Sequence, residues 1–100
     1  MGFRVVAETV DCEGGNCPTT YVREEGSVVV QGYRTAVPGR LRVTADLLRR
    51  HANAEGQTRW GGPAIPAGGP WVFVEGCETE LEGVTPPRNE GLIEIEPVVV

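Results

Sequence analysis

The sequence predicts an α+β domain that is mainly β: a small antiparallel sheet or barrel with one short helix packed on it. Three observations carry this. Fourteen Gly and eight Pro in 100 residues favour many turns and short strands. Hydrophobic residues alternate with polar ones in several short runs, the period of a half-buried strand. Only one segment carries a full set of helix start and stop signals. One core fits the length, so residues 1–100 are read as a single domain.

Phe3, Val5, Ala7 and Thr9 alternate with Arg4, Val6, Glu8 and Val10, giving a first strand. Residues 11–18, DCEGGNCP, read as a loop. Residues 19–23 and 27–34 form a hairpin across Glu24, Glu25 and Gly26, with Gly26 supplying a positive φ. Tyr21 and Tyr33 are expected as cross-strand neighbours in it. Val28, Val29 and Val30 are consecutive, which predicts a strand covered on both faces. Pro38 and Gly39 turn the chain into a short strand over residues 41–43.

The helix follows. Thr44 is placed to cap it, Val43 and Leu48 to staple it, and Gly56 to stop it. Asp46 stands near the positive end of the dipole, and Arg49, Arg50 and His51 toward the negative end. At about three turns it is too short to stand alone in water. Leu47, Leu48, His51 and Ala52 share the face that would dock on a sheet. Residues 56–70 read as a long loop carrying Trp60. A strand over residues 71–75 places Trp71 and Phe73 on one face. Residues 78–90 read as acidic and turn-like. The last strand points Ile93 and Ile95 inward and Glu94 and Glu96 outward, and Pro97 predicts an edge position.

The net charge of −5 is unevenly placed: residues 1–74 sum to +1 and residues 75–100 to −6. An acidic C-terminal part repels phosphate, so no direct nucleic-acid partner is expected. It suits docking on a basic protein partner. No stretch is apolar enough to span or enter a bilayer, and no membrane partner is expected. The first ten residues lack the apolar run of a signal peptide, which points to the cytoplasm. There, cysteines are expected as reduced thiols or ligands.

Cys12, Cys17, Cys77 and His51 are the strong soft-metal ligands, and their count matches a three-cysteine, one-histidine zinc set. Their spacing does not, because Cys77 and His51 stand alone, so neither metal nor cofactor is expected. A cysteine nucleophile needs a base, and His51, the single histidine, lies near a helix C-terminus that favours imidazolium. GxSxG, HExxH, Walker A and GxGxxG patterns are absent. The reading is a non-enzymatic interaction or regulatory accessory domain, with Trp60, Trp71, Glu94, Glu96, Arg49 and Arg50 as interaction residues. The valine-rich C-terminal strand could also pair two copies into a homodimer. Two alternatives stand beside it: a metal- or redox-responsive module built on the cysteines, and a small-molecule pocket or enzyme under the Trp60–Trp71 loop.

Residues 17–33, CPTTYVREEGSVVVQGY, resemble a family of short actinobacterial proteins of unknown function with a Cys-Pro, a hairpin and a Val-Val-Gln-Gly run. Gly14 to Cys17, the hairpin and then LRVTADLLRR are also similar to a second small actinobacterial family, commonly encoded beside helix-turn-helix regulators. The resemblance covers roughly the first half of the chain. It implies a bacterial accessory protein whose partner is a DNA-binding regulator, and it brings no catalytic residue.

Overall fold

The computed structural model describes residues 2–9 and 17–95. Its elements are β1 (Phe3–Glu8), β2 (Thr19–Arg23), β3 (Val28–Arg34), β4 (Arg40–Thr44), α1 (Ala45–Ala54), β5 (Ile65–Pro66), β6 (Trp71–Glu75), β7 (Cys77–Glu78) and β8 (Glu90–Ile95). All eight strands join one sheet, and every pairing is antiparallel. This is the mainly-β α+β domain with one short helix that the sequence predicts.

β3 organises the sheet. β8 pairs along one edge of it, from Val28↔Ile95 to Tyr33↔Glu90. The other edge is shared, with β2 pairing residues 28–31 and β4 pairing Tyr33 and Arg34. Gly32 sits at the handover. A Cβ there would stand 2.6 Å from Val43 Cγ1 and 3.0 Å from the Arg42 carbonyl oxygen. A residue without a side chain is what lets β4 approach so closely.

Alternation along the strands separates two cores. Val30, Val43, Val74, Ile93 and Ile95 face inward and pack with Leu47 and Leu48 of α1. Each of those leucines contributes about 1.5–3 kcal/mol by leaving water. Tyr21, Val29 and Leu92 face outward, where Leu81 from the 79–89 connection covers them. The valine run thus serves both cores: Val28 and Val30 the inner, Val29 the outer.

The helix ends behave as their residues dictate. Thr44 Oγ1 accepts from the Leu47 N–H at 3.2 Å. Val43 and Leu48 are buried in the same core, as a staple requires. Gly56 has φ +75°, past the C-cap at Glu55. In the hairpin turn, Gly26 has φ +99°.

Several details differ from the sequence reading. Tyr21 pairs Val29, while Tyr33 pairs Arg42 and Glu90, so the two tyrosines are not cross-strand neighbours. β5 and β7 are two-residue strands, too short to show a period. β8 lies between β3 and β7 rather than at an edge. The acidic 79–89 segment supplies the buried Leu81, held by a bridge to Val84. The proposed dimer edge at residues 98–100, together with Glu96 and Pro97, lies outside the described residues. No described helix is long and apolar enough to cross a membrane.

Candidate functional site

On the outer face, the 79–89 connection covers only part of the sheet. The remainder, over β3, β4, β6 and β5, carries a row of arginine and aromatic side chains. Pairing places them there. Tyr33 is opposite Arg42, Arg42 is opposite Phe73, Arg40 is opposite Glu75, and Ile65 is opposite Phe73. Directly opposed residues share a face and approach within contact distance.

Arg42 is the centre of this row. Its guanidinium carbon lies 4.4 Å from the ring centre of Trp71 and 5.7 Å from that of Tyr33. The two rings meet edge to face, 6.0 Å apart. Both distances are within the range of cation–π attraction. Arg40 lies over Phe73 at 5.4 Å and also pairs with Glu75 at 2.8 Å. Arg42 differs in one respect: it is exposed and forms no ion pair with any described residue. A planar guanidinium fixed on aromatic faces, with its N–H edge uncommitted, is organised to receive a carboxylate in two-point fashion.

Of the described residues that the sequence singles out for interaction, Trp71 is the one that joins this row. Trp60 instead packs against the inner core, edge-on to His51 at 5.3 Å, and its indole N–H donates to the Pro63 carbonyl at 3.2 Å. It seats the 56–70 loop on the domain. Arg49 and Arg50 both pair with Asp46 on the exposed side of α1. Glu94 pairs with Arg23 at 2.6 Å and accepts from Ser27 Oγ at 3.4 Å, so its charge is answered within the fold.

The cysteines and His51 do not assemble. Cys17 is disulfide-bonded, which corrects the expectation of a reduced thiol. Cys77 is free and exposed on β7. Cys12 lies outside the described residues. His51 is buried on α1 with Nδ1 2.7 Å from Thr20 Oγ1. Burial holds its pKa below the ordinary value, an effect that outweighs the raising pull of Glu55 and reverses the imidazolium expected from its place in the helix. Among the described residues, no group of three side chains could hold a metal ion.

The chain matches no protein-family model, no curated protein and no solved structure. Sequence reasoning recognised that Trp71 and Phe73 share a face, but not Tyr33, Arg40 and Arg42 beside them. The signal was present: Arg40 and Arg42 alternate with the buried Leu41 and Val43, as Trp71 and Phe73 alternate along β6. What the sequence lacked was the pairing of β4 with β6 across a helix and a long loop.

Proposed function

We propose that the chain is a non-enzymatic protein-interaction domain that docks an acidic segment of a partner protein on the outer face around Arg42. The observation that carries this is the Arg42 guanidinium, stacked on Trp71 and Tyr33 and without an ion pair among the described residues. Tryptophan, tyrosine and arginine are the residue types that dominate binding hot spots. Ile65, 42% exposed beside Phe73, extends the face with apolar surface.

This reading reverses the charge of the partner expected from composition. The acidic C-terminal part suggested a basic partner, but Glu75 and Glu94 are already paired with Arg40 and Arg23. A helix-turn-helix regulator, the partner implied by resemblance, would meet this face through an acidic stretch rather than through its DNA-binding surface. Nucleic acid is disfavoured because Arg40 is neutralised by Glu75 and the chain as a whole is at −5.

A titration followed by NMR tests the proposal, with hexaglutamate peptide as probe. The Arg42 side-chain N–H and the Trp71 indole N–H should shift together and saturate, while the Trp60 indole N–H stays still. Hexalysine should produce no shift at these groups. Tighter binding of an oligothymidine at the same groups would reassign the face to single-stranded nucleic acid, whose bases also stack on aromatics. No saturable shift with hexaglutamate would end the docking reading.

A further inference from the structure

A second site lies on the outer face at the opposite end of the sheet, where β1 and β2 meet the 79–89 connection. The register of β1 on β2 slips between Val5 and Ala7. In a regular strand, residues three apart point to opposite faces. The bulge brings both Val5, opposite Tyr21, and Glu8, opposite Thr19, to the outer face. Thr19 in turn pairs with Gln31 on β3, so Glu8, Thr19 and Gln31 form one cross-strand row. These residues line a cavity of about 210 Å³ with Val5, Tyr21 and Val84.

The hydrogen bonds in its wall have a direction. The Tyr21 hydroxyl donates to Gln31 Oε1 at 2.9 Å, and Gln31 Nε2 donates to Glu90 Oε1 at 3.1 Å. The Thr19 hydroxyl donates to the Cys17 carbonyl at 2.7 Å. Thr19, Tyr21, Gln31 and Glu90 are all more than nine-tenths buried. The hydroxyl protons of Tyr21 and Thr19 are thus committed within the protein, which leaves their oxygen lone pairs to accept. Glu8, exposed, adds a carboxylate that forms no ion pair or side-chain hydrogen bond with a described residue. Burial raises the Tyr21 pKa most, a hydrogen bond with Thr19 opposes it, and the charges of Glu8 and Glu90 raise it further, which marks the local potential as negative. Val5 and Val84 add apolar patches to the wall, beside Cys17, Gly83 and Thr85.

We propose that this cavity binds a small primary alkylammonium ion. Its ammonium would donate to Glu8, Tyr21 Oη and Thr19 Oγ1, and its alkyl chain would lie along Val5 and Val84. Three acceptors match the three donors of a primary ammonium, and Val5 and Val84 offer a carbon chain contacts that a hydrated metal ion would not use.

The test is a titration of the whole chain with n-butylammonium, followed by NMR at the Thr19 and Tyr21 amides and the Tyr21 ring. Saturable shifts are expected with n-butylammonium and none with n-butanol or butyrate. Glu8→Gln, a change at an exposed side chain that leaves the fold intact, should weaken binding about tenfold, the loss of one charge-assisted hydrogen bond. Tyr21→Phe keeps the buried ring and should weaken it as well. Equal binding of n-butanol would reduce the cavity to an apolar cleft. Binding unchanged in Glu8→Gln, or calcium shifting the same signals where n-butylammonium does not, would overturn the proposal.

Discussion

The guanidinium of Arg42 stacks 4.4 Å from the ring centre of Trp71, across the β4–β6 pairing, and pairs with no carboxylate among the described residues. The contact itself contributes about 0.5–1 kcal/mol at an exposed site. Arg42→Gln should therefore lower folding stability by no more than about 1 kcal/mol in denaturant titration while abolishing the stacked cation. Arg42→Lys keeps the charge but loses the planar fork, and should retain less than half of the hexaglutamate shift at the Trp71 indole.

His51 sets an acid limit on the fold. Its native pKa lies below the ordinary 6.5 because burial disfavours the imidazolium. Above 6.5 both folded and unfolded chains hold it neutral, and its contribution is fully present. As pH falls through 6.5, the unfolded chain takes up a proton that the native state resists, so stability declines toward the native pKa. Thermal unfolding should show a falling midpoint between pH 7 and pH 5, and His51→Gln should flatten that slope. A wild-type slope matched by the variant would place the acid sensitivity elsewhere.

Glu90 works in the opposite sense. Burial raises its pKa above the ordinary 4.5, partly offset by the Gln31 hydrogen bond. Stability from this group is fully present below 4.5 and is lost as pH rises through the native pKa. Glu90→Gln keeps an oxygen for Gln31 and removes the buried charge. Its unfolding midpoint should exceed that of the wild type near pH 7, and the gap should close near pH 4.

Gly32 has no tolerance for a side chain. Gly32→Ala would press a methyl against Val43 Cγ1 and the Arg42 carbonyl, at 2.6 and 3.0 Å. Overpacking of this kind costs about 1–3 kcal/mol, visible in urea unfolding. Gly26→Ala in the open hairpin turn meets no atom within 4 Å, so its cost comes from φ +99° alone and should be smaller.

The cysteine state is countable. Native protein purified without reductant and then denatured should be alkylated at Cys77 and not at Cys17, because Cys17 is bonded. Prior reduction should make Cys17 reactive as well. Three equivalents without reduction would return the cysteines to the free state expected of a cytoplasmic chain.

Local chemistry made much of this fold legible. Thr44, Val43, Leu48 and Gly56 marked the helix because caps, staples and stops depend on near neighbours. Val28 to Val30 announced a strand with two covered faces, and Ile93 and Ile95 an inward pair. The functional face was illegible for the opposite reason. Arg42 and Phe73 are thirty-one residues apart in the chain and meet through a register that no local pattern encodes. The buried Glu90 was hidden in a segment whose composition reads as acidic surface, because its hydrogen-bond partner, Gln31, lies on another strand.

Docking of an acidic segment at Arg42 is tested by comparing the binding of a fluorescein-labelled hexaglutamate peptide to three proteins by anisotropy at moderate salt. Wild type and Arg49→Gln should bind alike, since Arg49 is engaged by Asp46 away from the aromatic row. Arg42→Gln should bind about tenfold more weakly. If Arg42→Gln binds as wild type does, or if Arg49→Gln weakens binding equally, attraction is diffuse and the outer face is not the docking site.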